Sequence, residues 1–396
     1  MQHKPDNMKK IFHLLKAIII GSLAGIMLVM IGCVLFTDIS PMQFLKSLAD
    51  KGFMPVIVNC LLSLAALAIA FTLQIIVHEG GHLVGGLLTG YRFVSFRIFT
   101  LTLLRRDGRL IVRRFNIPGT GGQCIMLPPD GDAVSVPFVI YNAAGVVANI
   151  LLTAVAATLF FIHLHDGGIF LFLLTLFTAL TGLWTALLNG IPLKINGMCN
   201  DAGNIRLMLR EPEVRRHFVL QLRVHALCQN GLRPKDFPQS WFEGLSHDGG
   251  YGLMNAVTDM MAVASEIDKG DYARAHDMLM AIRDRRPALP DMYDKEIDCE
   301  IAFTSLMLGR NDEADRLLTD SLRTYIRHTS SYSSSKPRLL YAVALCLEHD
   351  RRKAEAILQN LENNRDRYIM LGEVEADICT MRRMLDTANS AIQQHA

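Results

Sequence analysis

Four apolar stretches dominate the first half of this 396-residue chain: Ala17–Phe36, Pro55–Val77, Val134–Leu164 and Ile169–Leu188. A helix crosses the hydrocarbon core of a bilayer with about 20 mostly apolar residues, and each stretch supplies that length. Inside hydrocarbon, backbone amides must be bonded within their own segment, so helices are expected here rather than loops. The first stretch has the position of a signal-peptide core. It is long, lacks a small-x-small cleavage site and is followed by further spans, so we expect a retained anchor.

Composition divides at the same place. Hydrophobic residues make up 51% of the chain and charged residues 20%, but the apolar ones concentrate before about residue 190. The second half has the make-up of a water-facing domain. The formal net charge of +2 gives no case for bulk electrostatic binding to nucleic acid. Eight cysteines, among them Cys33, Cys60, Cys228, Cys299, Cys346 and Cys379, form no C-x-x-C pair. Their spacing suggests neither a disulfide framework nor a cysteine zinc site.

Lysine and arginine in short loops set the orientation of membrane helices. Lys4, Lys9, Lys10 and Lys16 precede the first stretch, and Arg92, Arg97, Arg105, Arg106, Arg109, Arg113 and Arg114 lie between the second and third. The remaining loops carry only Lys46 and Lys51, and none in 163–168. The pattern expects a multi-pass protein of the cell membrane. Its N-terminus, the segment from about 90 to 133 and everything after the fourth stretch would be cytoplasmic.

The arginine-rich segment is expected to be β. Arg92–Phe99 and Arg109–Arg113 are rich in strand formers, and Asp107-Gly108 between them is a hairpin turn signal. Such a hairpin is either a plain cytoplasmic loop or an exposed strand edge that pairs with an extended peptide.

The second stretch ends in His78-Glu79-Gly80-Gly81-His82, an H-E-x-x-H pattern. On a helix, residues four apart share a face, so both imidazoles can reach one Zn2+. Glu79 lies beside the first ligand, where it can take a proton from metal-bound water. Ionisable groups in hydrocarbon are costly and mark function by default. A hydrolytic zinc usually takes three protein ligands. The stretch Asn189–Gly203 emerges on the same side as the end of the second span, and Asp201 is its only acidic residue. By itself Asp201 reads equally as a third ligand or as a helix N-cap.

These residues resemble the site-2 protease family of intramembrane zinc metalloproteases over roughly residues 55–210. His78–His82 is similar to the family's zinc-binding helix. Gly145-Val146-Val147-Ala148-Asn149 is similar to its Gly-Pro-x-x-Asn element, with Val146 where proline is common. Asn189-x-x-Pro192 followed by Asp201-Ala202-Gly203 is similar to its N-x-x-P…D-G element, with Ala202 inserted before the glycine and a longer Pro-to-Asp spacing. The resemblance implies that Asp201 is the third zinc ligand. It also implies that Asn149 steadies the substrate backbone or the reacting carbonyl; otherwise Asn149 makes a hydrogen bond between helices. Gly80, Gly81, Gly85 and Gly86 suit close approach of another backbone.

After residue 211 three segments look alike: Lys269–Ala275, Leu308–Ala314 and Glu348–Ala354. Their alanines are 39 and 40 residues apart. This spacing predicts tetratricopeptide-like helical hairpins, which bury one face and present a groove to peptides or partner proteins.

The fold expected is therefore mainly α. An N-terminal anchor and loop (1–52) would lead into an intramembrane metalloprotease core (53–210) with a small membrane-associated β-hairpin. A cytoplasmic helical repeat domain (211–396) would complete the chain. The activity expected is zinc-dependent hydrolysis of peptide bonds in or near transmembrane segments of a membrane protein or peptide substrate. The partners expected are the lipid bilayer and a cytoplasmic protein held by the repeats. A non-catalytic receptor or scaffold is the alternative, and the intact Glu79 argues against it. A metal transporter would need polar spans lining a path, and the first and fourth are almost wholly apolar.

Overall fold

The computed structural model of the chain describes residues 53–106, 108–117, 120–163, 168–195, 198–243, 251–285 and 289–395, together with 42, 43 and 46. The expected first span (Ala17–Phe36), Asp107 of the hairpin turn and the loop residues 164–167 lie outside the described residues. Two compact units are present. Among the described residues, one comprises those up to Ile69 with Gly168–Leu174, and the other those from Ala70 to His163 with those from Thr175 onward.

The protein is mainly helical. Three helices among the described residues are long and apolar enough to cross a membrane: α1 (Phe53–Leu88), α2 (Phe138–His163) and α3 (Ile169–Gly190). Their outward faces carry large apolar side chains, among them Leu61, Phe71, Val84, Leu151, Phe161, Leu180 and Trp184. So many exposed large apolar side chains along the same helices are rare on proteins surrounded by water. Polar side chains face inward instead: Gln74, Asn142, Asn149, Thr175 and Thr178 are all buried.

Between α1 and α2 the chain forms a four-stranded antiparallel sheet where a hairpin is expected. Strands β1 (Arg92–Ile98), β2 (Leu101–Arg106), β3 (Arg109–Arg114) and β4 (Gly122–Leu127) lie in the order β3-β2-β1-β4. Gly108, at φ 78°, makes the β2–β3 turn where the sequence placed it. The first turn hides in the run Ile98-Phe99-Thr100-Leu101, which lacks a turn signal. There Phe99 takes the left-handed conformation at φ 50°, so β2 was not distinguishable from β1 by composition. A bulge at Val94 turns both Val94 and Ser95 into the interior.

After α3, a short hairpin of β5 (Lys194–Ile195) and β6 (Met198–Cys199) leads into α4 (Asp201–Arg210) and α5 (Pro212–Gln229). Helix α5 packs on the sheet. Val219 shares a core with Tyr91, Cys124, Met126 and Tyr141, and Ala226 packs with Val94 and Ile125. The hydrophobic core thus runs on across residue 211 and into the segment beyond it.

The remaining helices form hairpins: α6 (Leu253–Lys269) with α7 (Tyr272–Asp284), α8 (Asp291–Met307) with α9 (Asn311–Leu317) and α10 (Asp320–Thr329), and α11 (Ser335–Cys346) with α12 (Arg351–Asn363). Helix α13 (Leu371–His395) comes last. The three similar segments fall on the three turns. Each has one residue at positive φ (Gly270 at 92°, Gly309 at 72°, His349 at 53°). Each ends in a fully buried alanine, Ala275, Ala314 or Ala354, small enough for close helix crossing. Asp271 and Asp350 cap the next helix by accepting from the backbone N–H of Arg274 and Lys353.

Candidate metal centre

The site is built from two facing stripes at four-residue spacing. On α1, Gln74, His78 and His82 follow one another one turn apart. On α2, Tyr141, Gly145 and Asn149 do the same in the opposite direction. His82 Nδ1 lies 2.7 Å from the Tyr141 carbonyl oxygen, and His78 Nδ1 lies 2.6 Å from Asn149 Oδ1. Gly145 sits between them. A Cβ there would fall 2.6 Å from His82 Nε2 and 2.9 Å from His78 Nδ1, so only glycine leaves room for both rings. Gly81 and Gly85 bring the helices together: a side chain on either would strike the backbone of Ala144 or Ile140. Gly80 meets nothing within 4 Å.

Asp201 arrives from α4. The N-cap of that helix is its neighbour Asn200, whose Oδ1 accepts from the Gly203 N–H at 2.8 Å and the Leu193 N–H at 3.1 Å. Its Nδ2 donates to the carbonyls of Leu188 and Ile191. Asn200 thereby ties the end of α3 to the start of α4 and leaves the Asp201 carboxylate free to face the histidines. Gly203 is needed because a Cβ would lie 2.9 Å from the Leu193 carbonyl oxygen.

The three donors converge. His78 Nε2 and His82 Nε2 are 3.2 Å apart, and Asp201 Oδ2 lies 3.2 Å from the first and 3.5 Å from the second. Donors sharing one tetrahedral zinc, with bonds of about 2.0–2.1 Å, lie about 3.3 Å apart, so these residues fit that ion. The tautomers agree. A carbonyl oxygen only accepts, so His82 Nδ1 carries a proton, and in the neutral ring its Nε2 then presents a lone pair. Asp201 Oδ2 is buried and makes no hydrogen bond of ordinary geometry. Two imidazole nitrogens and a carboxylate oxygen gathered this closely could hold one metal ion between them.

Beside this cluster is a cleft of about 280 Å³, lined by Phe71, Gln74, Ile75, His78, Glu79, Thr120, Gly121, Gly122, Thr185 and Asn189. Glu79 lies against the start of β4, where a Cβ on Gly122 would fall 2.9 Å from Glu79 Oε1. The rim of the cleft is held by Arg97, which is 1% exposed. Its guanidinium donates to the carbonyls of Phe99 and Thr120 and to the Thr120 hydroxyl, and burial pushes it below its ordinary value.

His78, His82 and Asp201 are thus brought together, with Glu79 in the adjoining cleft. Asn149 is fully buried and bonded on both sides, through Oδ1 to His78 and through Nδ2 to Gln74. Gln74, Asn200 and Arg97 were not singled out from the sequence. For Gln74 a signal existed: an amide inside an apolar run, one turn before the first histidine. No family model, no curated protein sequence and no solved structure matches this chain.

Proposed function

We propose that the chain is a membrane-embedded zinc endopeptidase, similar to the site-2 proteases, that cleaves peptide bonds in or near the transmembrane segments of its substrates. The observation that carries this reading is the convergence of two imidazole Nε2 atoms and one carboxylate oxygen beside an acid in an open cleft. His78, His82 and Asp201 would hold the zinc. When bound, it supplies a Lewis acid that polarises a carbonyl and makes water acidic near neutral pH.

The chain's own residues do the rest. Glu79 takes the proton of the attacking water on its carboxylate and returns it to the departing amine nitrogen. Asn149 holds the His78 ring by its Nδ1 proton, a positioning role in place of direct contact with substrate. The substrate must lie extended, since a helix hides its carbonyls. Strand β4 is outermost in the sheet and starts beside Glu79, so its edge supports a peptide running into the cleft. We assign the helical hairpins beyond α5 to recognition of the client protein, because a tethered second site raises the client's effective concentration at the cleft.

The metal is tested by removing it. Purified protein in detergent should cleave an apolar reporter peptide, stop in excess chelator and recover with about one equivalent of zinc. Cleavage that persists in chelator, with zinc absent by metal analysis, would overturn the reading.

Orientation is tested by labelling single cysteines from outside the cell. A Cys at Asp166 should react, and a Cys at Arg109 or in the hairpin array should not. Labelling of the array from outside would reverse the topology.

A further inference from the structure

Resting on the zinc reading above, we infer that Gln74, buried in α1, is a positioning residue of the metal centre. With Asn149 it forms a directional amide relay from the Thr178 carbonyl of α3 to the first zinc ligand, His78.

The direction follows from two backbone carbonyls, which can only accept. Gln74 Nε2 lies 2.8 Å from the Thr178 carbonyl oxygen, so the nitrogen of that amide points to α3 and its oxygen points away. Gln74 Oε1 therefore accepts from Asn149 Nδ2, at 2.6 Å. The same Nδ2 donates to the backbone carbonyl of Gln74, at 2.9 Å. Both hydrogens of Asn149 Nδ2 are thus taken, and its Oδ1 is turned to His78 Nδ1. That nitrogen must be the donor. His78 is held as the Nδ1–H tautomer with its Nε2 lone pair on the metal side.

Two further features mark the relay as built. Gln74 and Asn149 are both fully buried, in helices whose outer faces are apolar, where an amide without partners is costly. The space for Gln74 comes from Gly182 on α3, one turn after Thr178: a Cβ there would overlap Gln74 Nε2 and Thr153 Oγ1. A glycine in that helix is thus matched to an amide in another.

A residue acting through a ligand should change the metal's hold without changing the number of sites. Outer partners of zinc-bound histidines typically contribute about 10–100-fold in affinity. The test is competition of the zinc-loaded full-length protein against a fluorescent chelator, for wild type, Gln74→Leu and Gly182→Ala. The second variant keeps every relay group and displaces the Gln74 amide together with the neighbouring Thr153 hydroxyl. We expect about one zinc per chain in all three and a loss of affinity of about tenfold or more in both variants.

A second readout is the Nδ1–H proton signal of His78 in protein with ¹⁵N-labelled imidazoles, assigned by its loss in His78→Ala. It should persist in wild type and exchange faster with water in both variants. A role in packing alone would lower the melting temperature and leave affinity and signal unchanged, which would overturn the relay. Wild-type protein that takes up no zinc would instead overturn the metal reading itself.

Discussion

Glu79→Gln will keep its zinc and lose proteolysis by about 10²–10⁴-fold, the range over which a positioned general base contributes. The two side chains have the same shape, so the fit of Glu79 against Gly122 survives. Glu79 is not one of the three converging donors, so metal content should stay at wild-type level. What changes is chemical: an amide cannot take a proton from water. Turnover of the reporter peptide and metal content, measured on the same preparation, check this. Loss of zinc together with activity would make Glu79 a ligand rather than a base.

The second large effect is on the metal. Asp201→Ala should weaken zinc binding by more than about 100-fold, beyond what an outer partner contributes, and abolish cleavage. It should do so without unfolding α4, because Asn200 rather than Asp201 caps that helix. His78→Ala and His82→Ala should lose zinc likewise. Asn200→Ala is the instructive contrast. It leaves all three ligands but cuts the four hydrogen bonds that fix the start of α4, so it should bind zinc more weakly yet keep residual cleavage. Metal analysis and circular dichroism on the four variants separate loss of metal from loss of fold. Wild-type zinc content in Asp201→Ala would assign the third ligand elsewhere.

What could be read from the sequence was whatever depends on local spacing. The apolar lengths of α1, α2 and α3, the four-residue step from His78 to His82 and the three repeated turns are all local regularities. Each of those turns needs one left-handed residue and a small buried alanine. The rest depends on distant partners. Asp201 had two local readings, ligand and N-cap, and only the neighbouring Asn200, bonded to Leu188, Ile191 and Leu193, separates them. Arg97 looked like one more basic loop residue, because nothing adjacent in sequence shows that Thr120 folds back over it. Strand β4 comes after a glycine run that ordinarily ends regular structure, and the sheet extends there because β1 offers a free edge. The step from Gly145 to Asn149 was visible as a motif, but its meaning needed the facing helix: room for two rings, then an acceptor one turn on.

The central claim is that this metal centre cuts membrane proteins, and the most direct measurement is of the cuts themselves. Newly formed protein N-termini would be catalogued in membranes from cells carrying the wild-type chain and from cells carrying Glu79→Gln at equal abundance. The account predicts termini within or beside apolar segments that are present in wild type and missing in the variant, with the uncut parent accumulating. The same set of termini in both strains would contradict it.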